Sequence, residues 1–549
     1  MSDRTRIVIL GGGFAGVYTA RELLRRAGER VEVHLVNREN YLVFQPMLPE
    51  VISGSVGIAD TTIPIRRFVP GAHLHMRDVE SVNLEEREVI CSPGFRPRHL
   101  VLPFDHLVIA MGNVTDFRGM TGLAEHAMPF KTHGDALALR NHVIRALEEA
   151  ESERDADLRT RLLTFVVAGG GFSGVEVIAE LHDFVRRAAR SYPSLTRQKC
   201  RFVLLHSRER ILPEVDESLA LYAQNLLRRR GIEIMLGARL SAATADHALL
   251  ADGKRLPTAT LVATVPSHPN PICETLDLPK DRGRLIVDSF LRVQGQTHIW
   301  ALGDCALVPL PRLKESDELT YAPPTAQHAI REARVAGSNI LASTDTRPLS
   351  PFTFKGLGSL CALGHRKGVA QVLGVKLAGL PAWFLWRTVY WSKLPGVQAK
   401  VRVGLSWLVD LFFPPDIVQL RVGRSSGINH EHFEPGQAVF EQGDLGDRVY
   451  IIIRGSAAVE RRADEAPQAQ IVARLSSGQY FGEMALLNRA PRNATVRCVE
   501  AMDVLSIEKG DFTSLIAHLD QLRDQFQETA RERLEAPRHE TADAPRPTI

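Results

Sequence analysis

Twice in this chain a short apolar run ends in three glycines, a phenylalanine, a small residue and a fourth glycine. Residues 6–10 (RIVIL) lead into Gly11-Gly12-Gly13-Phe14-Ala15-Gly16, a helical pattern to about Arg26, and a second strand, VEVHLV, ending at Val36. Residues 163–168 (LTFVVA) lead into Gly169-Gly170-Gly171-Phe172-Ser173-Gly174, a helix carrying Glu176 and Glu180, and the strand RFVLL, ending at His206. Each is strand, G-x-G-x-x-G, helix, strand. In that order Gly11, Gly13 and Gly16, and again Gly169, Gly171 and Gly174, permit the tight turn, close approach to a pyrophosphate and close helix–strand packing. The helix N-terminus attracts the anion. Phe14 and Ala15 lie in the first cradle. Two such turns predict two dinucleotides, which suits an enzyme that moves hydride between them.

The residue about 20 positions on, which holds the ribose hydroxyls, is usually Asp or Glu. After the first turn it is Asn37, followed by Arg38; an amide bonds a hydroxyl without charge. After the second turn the strand tip reads His206-Ser207-Arg208. A hydroxyl and cationic groups suit a 2′-phosphate, which a carboxylate would repel, so the tip favours NADPH over NADH. The other reading is a solvated strand end accepting either cofactor.

At 549 residues, three or four domains are expected. The net charge of +3 is too small to argue for a nucleic-acid partner. The six cysteines are scattered, without C-x-x-C or metal spacing. That pattern fits a reducing compartment and argues against both a disulfide framework and a dithiol redox centre. No signal peptide and no run of about 18 apolar residues is present, so no membrane span is expected.

Beyond the turns come Asn40-Tyr41-Leu42-Val43-Phe44-Gln45-Pro46-Met47-Leu48-Pro49-Glu50, then DHLVIAMG at 105–112, HIWALGDCA at 298–306, and Tyr321-Ala322-Pro323-Pro324-Thr325-Ala326-Gln327-His328-Ala329. Over roughly residues 5–420 the chain resembles the type II NADH dehydrogenases, single-subunit NADH:quinone oxidoreductases that do not pump protons. The resemblance implies an α/β fold of two interleaved Rossmann-like domains. FAD would be bound by 1–125 with 275–345, and NAD(P)H by 126–274. It implies that Asp304 bonds the FAD ribityl chain, that Gln45, Val79, Gly112 and Ala329 belong to the cofactor-binding residues, and that Ala326, Gln327 and Arg331 line the quinone site. Glu176 would stand near nicotinamide and quinone, catalytic together with Gln327. Any acid in that helical turn also gains from the dipole, so a structural role stays open. Arg331 replaces the family's second glutamine, Met111 a commoner Thr, and ATVPSHP at 263–269 a usual strand end. A homodimer is a family expectation.

Residues 346–409 contain nine Lys or Arg and no Asp or Glu, interleaved with Trp383, Phe384, Trp386, Tyr390, Trp391 and Trp407. Interfacial aromatics and cations suit a bilayer surface. Residues 346–422 are therefore expected to be an amphipathic membrane-associating segment, placing the protein peripherally on the cytoplasmic face of the cell membrane. The alternative is a dimer interface or a satellite core.

After a linker near 423–427, the strands and glycine turns of EPGQAVFEQGDLGDRVYIIIRGSAAVE and FGEMALLNRAPRNATV resemble the cyclic-nucleotide-binding domain, over 423–535. The resemblance implies a β-roll in which amides from Gly482 and Met484 and the Arg492 fork bind a phosphate. Glu483 would take the ribose hydroxyl, and Asn493 would stand where the family often has Ala or Thr. Cyclic AMP is the expected effector, moving this domain against the flavin domains. Residues 536–549 read as a disordered tail. The reading is a peripheral FAD-dependent NAD(P)H:quinone oxidoreductase under cyclic-nucleotide control. Its alternatives are an NADPH-dependent flavoprotein reductase with another acceptor, and a cyclic-nucleotide sensor on a flavin scaffold without turnover.

Overall fold

Both glycine turns sit at the C-terminal ends of strands buried on both faces, as near-continuous apolar runs require. In the computed structural model the described residues are 4–94, 98–117, 120–195, 200–264, 267–311, 320–413, 416–420, 428–446, 448–462, 469–487, 490–509 and 512. The expected linker at 423–427, the tail at 536–549 and Val265 of the altered strand end lie outside them. The chain divides into two units, residues 1–90 with 101–420, and residues 91–100 with 421–549.

In the first unit, Thr5–Leu10 is the middle strand of a five-stranded sheet. Its neighbours are Val31–Asn37 and then His73–Met76 on one side, His106–Ile109 and then Ile299–Ala301 on the other. All pairings are parallel. Thr164–Ala168 occupies the same place in a second parallel five-stranded sheet. It lies between Arg201–Leu205, which continues to Ile232–Met235, and Thr260–Ala263, which continues to Ala127–Pro129. The chain leaves the first sheet, builds the second, and returns at Ile299, so the two domains are interleaved as expected. The first-turn helix, Phe14–Ala27, packs against the long helix Ala326–Thr344. Contact is close because Gly337 faces Glu22: a Cβ there would lie 3.1 Å from the Glu22 side chain.

The segment expected as one amphipathic stretch is more structured than that. It opens with an antiparallel sheet of Gly358–Ala362, Gly368–Val372 and Val375–Gly379. Cys361, Leu363 and Val369 are buried in the core of the second domain. Residues with positive φ, His365 and Arg366 in one connection and Leu373 and Gly374 in the other, turn the chain back on itself between the strands. Two helices follow, Leu380–Lys393 and Val397–Phe412. Among the described residues no helix is long and apolar enough to cross a membrane.

The second unit contains two four-stranded sheets. One comprises Ile428–Phe433, Met502–Glu508, Arg448–Arg454 and Tyr480–Phe481. The other comprises Ala438–Phe440, Thr495–Cys498, Ser456–Arg461 and Gln470–Ser476. They enclose an apolar core that includes Phe433, Tyr450, Phe481, Met502 and Val504.

Candidate active site

Three distant segments meet at the first glycine turn. A Cβ on Gly11 (φ +105°) would lie 2.3 Å from the Ala110 carbonyl oxygen, and one on Gly16 1.9 Å from that of Gly11. Gly303 (φ +75°) places the Asp304 turn against Ala15, where a Cβ would lie 3.1 Å from the alanine methyl. Gly112 (φ +65°) ends the neighbouring strand. The Gly12 amide donates to Asn37 Oδ1 at 2.8 Å, and Asn37 Nδ2 to the Glu39 carbonyl at 2.8 Å. The structure thus brings together Gly11–Gly16, Asn37, Gly112 and Asp304. Arg38 pairs instead with Asp78, Gln45 is exposed, and Val79 begins a separate strand. Ala329 is buried in the helix Ala326–Thr344.

Gly13 begins the helix Phe14–Ala27 with no side-chain cap and no acid in the first turn, and no atom lies within 4 Å of a Cβ placed there. First-turn amides without partners beside open space are what a pyrophosphate needs. The residues therefore fit the phosphates of FAD. Burial raises the Asp304 carboxyl above its ordinary range, against the pull of Lys131 and Arg284.

The second turn repeats the first. Gly171 starts the helix Phe172–Ala188 with no side-chain cap and no first-turn acid. A Cβ on Gly174 would lie 1.8 Å from the Gly169 carbonyl oxygen. The Gly170 amide donates to His206 Nδ1 at 3.1 Å, the counterpart of the Gly12–Asn37 bond. Burial, with Arg208 beside it, lowers the His206 pKa. His206 is therefore a neutral acceptor at this strand tip and not one of the cations; Ser207 and Arg208 remain exposed.

The helix of the second turn also carries a set of buried acids. Glu176 Oε1 accepts from the Ala362 amide at 3.0 Å and from Trp386 Nε1 at 3.2 Å. Burial pushes its pKa up to about 8, although both donors favour the carboxylate. Glu180, one turn on, is likewise pushed up to about 8 by burial, with Asp183 and Glu50 adding repulsion and Ser53 donating a bond. Glu50 accepts from Trp407 Nε1 at 3.1 Å and from Arg387 at 3.4 Å. The Arg387 guanidinium lies between the rings of Trp383 and Trp407, at 4.4 and 4.3 Å. In the sequence Glu50 and Arg387 stand only within longer segments, residues 40–50 and 346–409. No local pattern marks an acid and a cation 337 positions apart as partners.

Gln327 is tied down by its neighbours. Its Oε1 accepts from the Leu357 amide and its Nε2 donates to the Gly358 carbonyl, both at 3.1 Å. Arg331 donates to the Gln327 carbonyl at 3.0 Å and lies over Phe354 at 3.9 Å. Ala326 opens the same helix.

In the second unit, Gly482 (φ +90°) leaves room for Arg492, whose Nη1 would lie 2.6 Å from a Cβ there. Arg492 is buried, donates to the carbonyls of Gly482 and Arg448, and packs over Phe440 at 4.0 Å. Glu483 is buried at the start of the helix Glu483–Leu487. Asn493 Nδ2 donates to Met484 Sδ at 3.5 Å. The expected phosphate-binding residues are gathered, with Arg492 held by backbone carbonyls.

Two uncapped glycine turns on interleaved parallel sheets define an oxidoreductase that uses two dinucleotides. Residues 5–333 match the pyridine nucleotide-disulphide oxidoreductase family, 357–415 the NDH2 C-terminal domain, and 430–518 the cyclic nucleotide-binding domain. The chain belongs to the type II NADH:quinone oxidoreductases of the pyridine nucleotide-disulphide oxidoreductase family, with a cyclic nucleotide-binding domain at its C-terminal end. It is 30% identical to a demethylphylloquinone reductase of Synechocystis, over 74% of this chain and 97% of that one. It is 29% identical to a type II NADH:quinone oxidoreductase of Mycobacterium tuberculosis, over 74% and 87%. The structure of NDH2 from Plasmodium falciparum in complex with NADH superimposes with a TM-score of 0.70 at 19% identity, over 76% of this chain and all of that one. FAD and a pyridine nucleotide are the cofactors of this class.

Proposed function

We propose that the protein oxidises NAD(P)H and reduces a membrane quinone, with the burial of Glu176 as the observation that carries the reading. The overall reaction, NAD(P)H plus quinone plus one proton giving NAD(P)+ plus quinol, needs a proton besides the hydride. Bound FAD supplies a two-electron acceptor between the two substrates. The chain's own residues bind, orient and manage protons. The first turn, Asn37 and Asp304 hold the FAD; the second turn, His206, Ser207 and Arg208 hold the nicotinamide nucleotide. Glu176 retains a proton at neutral pH because burial disfavours its charge, and the Trp386 indole and Ala362 amide fix its direction. Ala326, Gln327 and Arg331 line the acceptor's side. With His206 neutral, preference for NADPH rests on Ser207 and Arg208.

The deciding measurement is the initial rate of NADH and NADPH oxidation with a short-chain quinone. Fast quinone-dependent oxidation supports the reading, and the ratio of the rates decides between the cofactors. A flavin that NADPH reduces but quinone does not reoxidise would favour the second reading, a reductase with another acceptor. The Gln327 amide favours that alternative, since both its ends are already bonded to Leu357 and Gly358.

Two further parts belong to the proposal. The apolar helix Val397–Phe412 docks on a bilayer surface from the cytoplasmic side, and Arg492, Glu483 and the Gly482 turn bind a cyclic nucleotide, cyclic AMP, that changes turnover.

A further inference from the structure

The hairpin that carries Ala362 closes in a turn its own residues do not favour. Its strands, Gly358–Ala362 and Gly368–Val372, pair with Ala362 opposite Gly368. The Leu363 amide donates to the Lys367 carbonyl at 2.8 Å, and the Lys367 amide to the Gly364 carbonyl at 2.9 Å. Between them His365 (φ +45°) and Arg366 (φ +57°) are both left-handed. A tight hairpin prefers Asn or Gly at such positions. Histidine and arginine persist there when the surroundings hold them.

Asp183 and Arg230 supply that hold. Asp183 Oδ2 accepts from the His365 amide at 2.5 Å. Arg230 donates to the Leu363 carbonyl and to Asp183 Oδ1. Its Nη2 also donates to His182 Nδ1 at 2.9 Å, so the ring proton sits on Nε2, which donates to the Arg230 carbonyl at 3.1 Å. His182 is buried, T-shaped against the Phe202 ring at 4.9 Å. Gly364 (φ +67°) fits closely into this clamp: a Cβ there would lie 2.4 Å from Asp183 Oδ2 and 2.9 Å from Arg230 Nη1. Arg230 ends the helix Glu217–Arg229, and Asp183 lies on the helix Phe172–Ala188, about two turns beyond Glu176. That helix therefore grips the turn with one acid and, with the other, takes the amide of the residue before Leu363, since Ala362 donates to Glu176 Oε1 at 3.0 Å.

We propose that Asp183 and Arg230 are a positioning pair for Glu176: by pinning the turn at Gly364 and His365 to the helix that carries Glu176, they keep the Ala362 amide aimed at its carboxyl. The inference rests on Glu176 holding a proton for the reaction, as proposed above. The pair acts through the backbone of Leu363 and Ala362. The other groups facing Glu176 are Glu180 on its own helix, Glu50 on Leu48–Ser53, Cys361 beside Ala362, and Trp386 and Tyr390 on Leu380–Lys393. An amide bonded to a carboxyl favours its charged form, so misplacing the Ala362 amide makes Glu176 hold its proton more tightly.

The test is an infrared titration of the purified holoprotein, following the C=O stretch of protonated carboxyl groups; the part of that band missing from E176Q belongs to Glu176. Two variants break the clamp without changing any charge. R230K lacks the planar fork that reaches several acceptors at once, and G364A drives a methyl group between Asp183 and Arg230. In each, Glu176 binds its proton about tenfold more tightly, and the midpoint of its band moves to higher pH. Either variant suffices if the other fails to fold. A clamp that served stability alone would lower the unfolding midpoint of the variants and leave the Glu176 band titrating as in the parent, which overturns the inference. A band at neutral pH that is the same in the parent and in E176Q overturns instead the reading of Glu176 as a proton holder.

Discussion

The two strand-tip residues, Asn37 and His206, do the same work with different chemistry. Each accepts the amide of the second glycine in its turn, and each lies where a Cβ on that glycine would strike it, at 2.5 Å for Asn37 and 2.6 Å for His206. The fourth glycine is stricter still, because its neighbour is backbone. Gly174→Ala is expected to abolish nicotinamide binding while leaving FAD bound, read by flavin absorbance and by NADPH titration. Retained bleaching of the flavin at parental NADPH concentrations would contradict this. Glu176 gives a prediction with a definite sign. Its folded pKa lies near 8, above the ordinary carboxyl value of 4.5. The folded state therefore binds the extra proton, and the stability this residue allows falls as pH rises from about 4.5 through 8, then levels. Glu176→Gln removes that loss. Its stability relative to the parent should grow from pH 6 to pH 9 in denaturant unfolding, while quinone-dependent turnover drops. A stability difference that does not vary with pH would show that Glu176 is ionised in the folded protein. Trp386→Phe removes one of the donors to Glu176 and should cost about 1–3 kcal/mol, from unfolding midpoints.

Elements differ in how much of themselves they write into the sequence. The glycine turns were legible because a Cβ on Gly11, Gly16 or Gly174 would lie 1.8–2.3 Å from a backbone carbonyl oxygen, and that constraint leaves a fixed spacing of glycines. The buried acids were not. Glu50, Glu180 and Arg387 become a cluster only when the helices Leu48–Ser53, Phe172–Ala188 and Leu380–Lys393 pack together, and helical patterns carry no mark of their partners. The sheet at 358–379 was hidden under a compositional signal, the absence of acids, that says nothing about strands. The amphipathic character expected from that composition is proposed here for the last helix. Val397, Val401, Leu405, Leu408 and Phe412 recur at helical spacing and are all exposed, Val397 at 78% and Phe412 at 75%. A helix with its apolar stripe outward suits the bilayer docking proposed above. Leu405→Glu with Leu408→Glu should cut co-sedimentation with anionic vesicles severalfold and leave oxidation with a soluble quinone intact. Undiminished vesicle binding would remove the helix from that role.

At the scale of the molecule, the second unit carries its own core and gathers the residues proposed to bind a cyclic nucleotide, so the proposed response to cyclic AMP can be read separately. A nucleotide at 100 times its dissociation constant stabilises the state that binds it by about 2.7 kcal/mol. A thermal transition of the protein should therefore shift upward with cyclic AMP and not with 5′-AMP at the same concentration. Equal NADPH oxidation rates with and without saturating cyclic AMP, alongside that shift, would leave a sensor that does not regulate. The bilayer docking proposed for the outward stripe of the helix Val397–Phe412 also has a kinetic consequence. An enzyme resting on a bilayer meets a lipid-dissolved acceptor by lateral diffusion in two dimensions. Its turnover then follows the number of acceptor molecules per unit of membrane area, and diluting the suspension with buffer leaves it unchanged, whereas diluting the bilayer with added phospholipid slows it.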